Sequence, residues 1–216
     1  MSVVDQLSSR SGDRTEAANR AVAARCLADR ALLGQVAAVL DVEDVLRVDH
    51  RLLGDCAEVC TMVAEERPDL VAPHAAVLPP LLAHKKARVR WESLHALALV
   101  AALVPDVIAA LLPRLHEIIL SDASVITRDC AVLALGHYAT TGEAAARAAY
   151  AILCDALTAF DGKQAGRALD AFGQVAAAAP DLAPDIRAHA ARFLDHPRPV
   201  VRRSATRLLK TVNADP

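Results

Sequence analysis

A unit of about 37 residues recurs along this chain of 216 residues, and such a fixed period limits the possible folds more than any single motif. One marker of the unit is a Pro-Asp pair, which begins at Pro68, Pro105 and Pro180. The first two pairs are 37 residues apart, and the third follows after 75 residues, two periods later. A chain with this period is expected to stack similar units on one another.

A second marker is an apolar segment that repeats with the same step. Its copies begin at Val89, Thr127, Gln164 and Val201, which are 38, 37 and 37 residues apart, and a more divergent copy begins at Leu52. Apolar residues within each copy recur at spacings of three and four, which is typical of an amphipathic helix. Five units are therefore visible.

Each unit is predicted to be a helical hairpin. The helix described above is the second of the pair, and a first helix precedes it, opened in several units by Pro-Asp, where the Asp can cap free amides. Four prolines, Pro73, Pro79, Pro80 and Pro113, fall within first helices and should bend or break them. The predicted hairpins span 30–67, 68–104, 105–142, 143–179 and 180–216.

The second helices carry the pattern Val-Arg-x-x-Ala-x-x-Ala-Leu-Gly, best seen at Val89-Arg90, at Arg128 to Gly136 and at Val201-Arg202. This pattern and the period resemble the HEAT repeat of the armadillo-like superfamily. The resemblance implies an all-α fold, a right-handed α-solenoid of about five HEAT-type hairpins. Residues 1–14 are expected to be a flexible arm, and 15–216 a single solenoid in which a helix over 15–29 caps the first repeat.

The chemistry-bearing residues form no recognisable catalytic, metal or cofactor motif, and none of these sites is predicted. Cys56 and Cys60 are four residues apart, which would suit two metal ligands, but they occupy packing positions and are better interpreted as buried small side chains. The odd count of five cysteines predicts a reduced, cytoplasmic protein. No membrane segment is predicted, because the most apolar stretch, 93–113, is interrupted by Pro105.

In HEAT arrays the second helix lines the concave surface, and the third and seventh positions of the repeated segment should face it. From these positions we predict a partner-binding surface made of Glu58, Trp91, His95, Asp129, Asp170, Arg203 and Arg207. Trp91 is the only tryptophan of the chain. It either packs against the turn at 84–86 or a neighbouring repeat, or it is an exposed anchor for a partner.

Charge is segregated along the chain although the net charge is only −2. The stretch 41–69 has nine acidic and three basic residues, whereas 187–210 has seven basic residues and one acidic residue. These ends are either solvated caps or docking surfaces. The second interpretation predicts head-to-tail self-association that weakens with salt, or an acidic partner or nucleic acid at the basic end.

Three functions fit the resemblance. A non-enzymatic scaffold that binds another protein is favoured, because stacked hairpins offer an extended surface. The alternative is nucleic-acid binding, since some alkylpurine DNA glycosylases have HEAT-like repeats, and Trp91, Arg128 and Asp129 loosely match their concave residues. The single tryptophan, His95 in place of an acid and the net charge of −2 argue against it. HEAT-like bilin lyases are a third possibility without a supporting residue.

Overall fold

The computed structural model describes residues 2–13, 15–41, 43–45 and 47–213, and this part of the chain contains helices and no strand. The chain divides into two compact units, Met1–Val107 and Ile108–Pro216. The division falls near the start of one long helix, α7, which covers Pro105–Ser121. No helix among the described residues is both long and apolar enough to cross a bilayer.

Unit 1 is organised around α4, which contacts α1, α2, α3, α5 and α6. Its core is aliphatic, with fully buried leucines such as Leu53 on α4 and Leu94 and Leu97 on α6. The helices of the unit are α1 (Ser8–Ser11), α2 (Ala17–Ala28), α3 (Arg30–Leu40), α4 (His50–Glu66), α5 (Pro68–Val71) and α6 (Ala87–Val100). In this unit α3 and α4 fall within the predicted hairpin 30–67, and α5 and α6 within 68–104.

The beginning of the chain differs from the expected flexible arm over 1–14. Residues 2–13 fold into a 3₁₀ turn, Val3–Gln6, followed by α1. Val3 and Leu7 are fully buried; Val3 opens the 3₁₀ turn, and Leu7 is the extended residue that joins this turn to α1. The serine-rich composition does not prevent this packing. The backbone amide of Ser8 donates a hydrogen bond to Asn19 on α2 and so joins the segment to unit 1.

Prolines break the first helix of the second hairpin, as predicted. After α5 the chain continues as two 3₁₀ segments, Ala72–Val77 and Pro79–Ala83, which contain Pro73, Pro79 and Pro80. A proline removes the amide donor that an α-helix needs and crowds the preceding turn. Pro113 has a milder effect, because α7 runs through it.

Unit 2 is organised around α11, which contacts α8, α9, α12 and α13. Small residues allow close packing here: a Cβ atom built on Gly136 of α8 would lie 3.2 Å from the Cβ atom of Ala171 on α11. Beyond α7, its helices are α8 (Val125–Ala139), α9 (Glu143–Ala156), α10 (Ala159–Gly162), α11 (Ala165–Ala178), α12 (Ala183–Ala191) and α13 (Pro199–Asn213).

The arginine of the repeated motif has a structural role that recurs in three hairpins. Arg90 donates to the carbonyl of His84 at 2.8 Å, Arg202 donates to the carbonyl of His196 at 2.7 Å, and Arg128 donates to the carbonyl of Asp122. In each case the acceptor lies six residues earlier, in the turn between the two helices. The arginine at the start of the second helix therefore secures the turn that precedes it.

The fourth hairpin lacks this arginine and has a different turn. Phe160 and Asp161 have left-handed backbone angles, with φ of 49° and 56°, which non-glycine residues seldom adopt. Arg128 supports the turn from the preceding repeat, with its guanidinium 3.7 Å from the centre of the Phe160 ring. Arg198 supports it from the following repeat by donating to the carbonyls of Gly162 and Lys163.

The cysteines confirm their interpretation as packing residues. None of the five is in a disulfide, and Cys26, Cys56 and Cys60 are fully buried in unit 1. Burial raises the pKa of Cys26 to about 11 and that of Cys60 to about 12, and raises the pKa of Cys56 further. These thiols therefore stay protonated and behave as small apolar side chains.

Candidate functional site: an acidic groove in unit 1

A groove of about 830 Å³ opens between the N-terminal segment, α2, α4 and α6 of unit 1. Among the residues that the structure describes, five carboxyl side chains and two guanidinium groups, those of Arg51 and Arg88, line it. We call it the acidic groove, and its carboxyl groups belong to Asp13, Glu16, Asp55, Glu58 and Glu92. Trp91 forms part of its wall and is half-buried.

Arg88 holds two of the carboxylates together. Its Nη2 atom lies 2.8 Å from Oδ1 of Asp55 and 2.9 Å from Oε2 of Glu58. Gly54 gives the guanidinium room to lie against α4, since a Cβ atom there would come within 3.2 Å of Arg88 Nη1. One cation thus neutralises part of the charge of two buried acids, and the pair keeps an excess of negative charge.

The N-terminal segment and α2 complete the hydrogen bonds of these acids. The backbone amide of Ser9 donates to Oδ2 of Asp55 at 2.7 Å, and Nδ2 of Asn19 donates to Oε2 of Glu58 at 2.6 Å. Burial alone would raise the pKa of Asp55, but the hydrogen bonds from Ser9, Asn19 and Arg88 lower it below its usual value. Asp55 is therefore ionised at neutral pH.

Glu92 is in a different electrostatic environment, although it lines the same groove. It is 2% exposed, and neither a hydrogen bond nor an ion pair reaches its carboxyl group within the described part of the chain. Burial raises its pKa to about 8, with a further contribution from the negative charge of Glu58 that outweighs the opposing effect of Arg88. At neutral pH the Glu92 carboxyl is consequently mostly protonated.

The predicted partner surface is only partly assembled at this groove. Glu58 and Trp91 both line it, but Glu58 is 7% exposed and its carboxylate is engaged by Arg88 and Asn19, so it is not the open contact residue that was predicted. Trp91 is half-buried on the wall of the groove, and its role as a partner anchor or a packing residue stays a prediction. His95, one turn further along α6, is half-buried and does not line the groove.

The remaining predicted residues lie in unit 2. Asp129 accepts a hydrogen bond from Gln164 at 3.3 Å, and Asp170 forms an exposed ion pair with Arg207 at 2.6 Å. Arg203 and Arg207 also line a shallow groove of about 510 Å³ along the exposed face of α13. Asp129 and Asp170 are thus partly occupied by contacts within unit 2.

Three residues that are central to the groove, Asp55, Arg88 and Glu92, were not among those predicted from the sequence. Asp55 and Glu92 are 37 residues apart and occupy the same position, the fourth, of successive copies of the repeated segment. Two acidic residues at the same repeat position, on helices whose neighbouring positions are apolar, are the signal that would have identified Asp55 and Glu92. The third and seventh positions alone do not contain it.

Arg128 is unsuited to the role that the nucleic-acid alternative gives it. The side chain is 1% exposed, donates to Gln164 and to the Asp122 carbonyl, and stacks on Phe160. A guanidinium buried in this way cannot contact a phosphate. The carboxyl groups around Trp91 would in addition repel a nucleic-acid backbone.

The structure also brings Cys154 and His189 together, a pair that sequence spacing did not reveal. Cys154 Sγ lies 3.7 Å from His189 Nε2, beside the rings of Tyr150 and Phe172. Burial raises the pKa of the thiol and lowers that of the imidazole, so both groups are neutral rather than an activated ion pair. No group of three potential metal ligands is found among the described residues.

Comparison with known proteins shows similarity at the level of fold. The designed armadillo repeat protein YIII(Dq.V1)4CPAF, solved in complex with peptide (KR)4, matches with a TM-score of 0.70 and 17% identity over 98% of both chains. A second, YIII(Dq)4CqI, gives a TM-score of 0.68 and 17% identity, also over 98% of both chains. An engineered protein gives 0.69 and 19% over 98% of this chain and 95% of that chain.

The fold is that of armadillo-like repeats. The predicted fold class, an all-α solenoid of HEAT-type hairpins, and the resemblance to the armadillo-like superfamily are thereby confirmed at the level of fold. No family model matches the sequence, and no curated protein matches it.

Proposed function

We propose that this armadillo-like chain is a non-enzymatic scaffold that binds a segment of another protein in the acidic groove. The observation that carries the proposal is the position of Trp91, a large aromatic side chain half-open on the wall of a groove of about 830 Å³. Aromatic side chains in such positions commonly supply much of the binding energy of an interface.

The solved structures with the same fold support a protein partner. One designed armadillo repeat protein is in complex with peptide (KR)4, and others were computationally designed for modular peptide recognition. The other predicted contact residues stay predictions for each unit separately: His95 in unit 1, and Asp129, Asp170, Arg203 and Arg207 in unit 2. A cytoplasmic location stays a prediction from the cysteines.

Selection from a random peptide library tests the proposal. We expect peptides to be enriched on the wild-type protein and to lose at least about tenfold in affinity for Trp91→Ala. Leu103→Ala is a matched control, because Leu103 is a large apolar side chain of unit 1 that is 52% exposed and does not line the groove. Enriched peptides that bind Trp91→Ala and wild type equally would contradict the proposal.

The same variant needs a stability measurement. Because Trp91 is only half-buried, its truncation should lower the free energy of unfolding by about 1 kcal/mol, well below the cost of removing a core aromatic residue. A loss of about 3 kcal/mol or more would identify Trp91 as a packing residue instead.

Charge segregation favours a second copy of the chain as an additional partner. The surface of α13 presents Arg203 and Lys210, which are exposed, beside the half-buried Arg202, whereas the groove of unit 1 is acidic. We expect head-to-tail association that is strongest at low ionic strength and is lost above about 0.3 M salt. Sedimentation velocity at several protein and salt concentrations measures it, and a monomer at low salt and high concentration would contradict it.

A further inference from the structure

We propose that the acidic groove receives the cationic side chain of a lysine or arginine residue of the partner, and that Glu92 is the carboxylate that pairs with it. The inference rests on the proposed function and specifies the chemistry of the ligand. It depends on three features of the groove: an excess of negative charge, a buried carboxyl group without a partner, and an aromatic wall.

The excess of charge is built into the groove. Asp55 and Glu58 are both buried, and within the described part of the chain they share one guanidinium, that of Arg88. Asp13 and Glu16 add two further carboxyl groups, while Arg51 adds one cation. An anionic ligand would be repelled by these carboxylates and a neutral ligand would leave their mutual repulsion unchanged, whereas a cation would reduce it.

Glu92 is the group that a ligand would satisfy. Asp55 and Glu58 already accept hydrogen bonds from Ser9, Asn19 and Arg88, but the Glu92 carboxyl accepts none from the described residues although it is 2% exposed and lines the groove. The Glu92 oxygens are not among the fully enclosed unpartnered atoms of the described residues, which leaves them open to the groove. An ammonium or guanidinium group arriving from the groove would supply the missing donor and the opposite charge.

Trp91 suits the same ligand. The indole can pack against the methylene groups of a lysine or arginine side chain. The face of the ring also attracts the cationic end of that side chain. As the only tryptophan of the chain, it also provides a fluorescence signal from the groove wall.

Binding should be coupled to the loss of a proton. Glu92 is surrounded by Asp55 and Glu58 of α4, by Arg88 of its own helix and by Glu16 before α2, and burial raises its pKa to about 8. A bound cation favours the ionised carboxylate, so affinity should rise as the pH is raised from about 6 to 8.5. Glu92→Gln should remove most of this pH dependence.

The experiment uses single-residue probes and the full chain. The fluorescence of Trp91 is followed at about pH 8.5 and low ionic strength. The cationic probes are Nα-acetyl-arginine amide and Nα-acetyl-lysine amide, and the neutral probes are Nα-acetyl-citrulline amide and Nα-acetyl-norleucine amide. We expect saturable changes with the two cationic probes, and affinities at least about tenfold weaker for the neutral probes and for Glu92→Gln. The arginine and lysine arms establish which cation the groove prefers.

Glu65→Gln is the matched control, because Glu65 is an exposed glutamate of α4 outside the groove and the substitution removes the same formal charge. Glu92→Gln copies the protonated form of Glu92, and thermal unfolding by circular dichroism checks that the variant folds. Neutral probes that bind as tightly as cationic ones, equal binding by Glu92→Gln, or no binding by any probe would overturn the inference. Selected peptides that depend on Trp91 but not on basic residues would leave the proposed function intact.

Discussion

Two arginines, one in each unit, show how the same residue type serves opposite purposes in this chain. Arg88 of unit 1 has a side chain that is 42% exposed and binds two carboxylates at the edge of an open groove. Arg128 of unit 2 is 1% exposed and donates to Gln164 and to the Asp122 carbonyl, with its guanidinium over the Phe160 ring. Arg128 belongs to the repeated motif, whereas Arg88 lies one position before the copy that begins at Val89.

The repeat motif therefore consists of residues that stabilise the fold and not of residues that line the groove. Arginines at the motif position hold turns in three hairpins, at Arg90, Arg128 and Arg202. The groove instead depends on residues that vary from repeat to repeat and on the N-terminal segment. Substitutions at motif positions should therefore act mainly on stability, and those in the groove mainly on binding and on pH dependence.

The largest stability effect is expected for Arg128→Ala. It removes the support of the left-handed turn at Phe160 and leaves Gln164 with an unpaired buried oxygen, so the free energy of unfolding should fall by about 3 kcal/mol. Urea unfolding followed by circular dichroism measures the loss. Arg167→Ala, at an exposed position of α11, is the control with an expected loss below about 0.5 kcal/mol. A loss below about 1 kcal/mol for Arg128→Ala would end the distinction between the two arginines.

Glu92 should make stability depend on pH. Because folding raises its pKa from an ordinary 4.5 to about 8, the folded protein keeps a proton that the unfolded chain has lost. This contribution is complete below about pH 4.5 and is lost as the pH rises through about 8, with a decrease of about 2 kcal/mol between about pH 6 and pH 8 relative to Glu92→Gln. Unfolding of both proteins across this range measures it. Parallel pH profiles would show that Glu92 keeps its ordinary pKa.

Arg88→Ala should have a smaller effect on stability than Arg128→Ala and a larger effect on the groove. We expect a loss of about 1.5 kcal/mol at neutral pH, because Asp55 and Glu58 keep their hydrogen bonds from Ser9 and Asn19 but lose their shared cation. The loss should shrink in acid as Asp55, whose pKa is held below its usual value by its hydrogen bonds, becomes protonated. A loss that is independent of pH would indicate that Arg88 contributes by packing rather than by charge.

The smallest effect is expected at the exposed ion pair of unit 2. Asp170→Asn leaves Arg207 on the surface, where its side chain is 66% exposed, and should cost less than about 0.5 kcal/mol. The same substitution removes the carboxylate that neutralises Arg207 of α13. The head-to-tail association should therefore strengthen slightly at low salt. Chemical unfolding and sedimentation velocity check the two expectations, and a loss above about 1.5 kcal/mol would place Asp170 among the architectural residues.

The architecture was predictable because the period repeats the same physical requirement. Apolar spacing, Pro-Asp starts and the motif arginine each recur, so the pairing of helices such as α3 with α4 follows from many weak signals in register. The turn at Phe160 was not predictable, because its left-handed conformation depends on Arg128 of the preceding repeat and Arg198 of the following one. Local sequence does not contain contacts of this kind.

The groove was only partly predictable for a related reason. Trp91 and Glu58 were identified from repeat positions, but their environment depends on residues 2–13, which carry no repeat signal and were expected to be flexible. Val3 and Leu7, two apolar residues in a serine-rich stretch, are the features that tie this segment to unit 1. The repeat period identifies residues at recurring positions, whereas the groove also depends on a segment that does not recur.

The N-terminal segment has a consequence for how this protein could change in evolution. Repeat arrays lengthen when whole hairpins are duplicated, and each new copy brings its own second helix and motif arginine. Two walls of the acidic groove come from residues 2–13 and from α2, which precede the first hairpin and would not be copied. A homologue with more hairpins would therefore have a longer row of second helices but still one acidic groove.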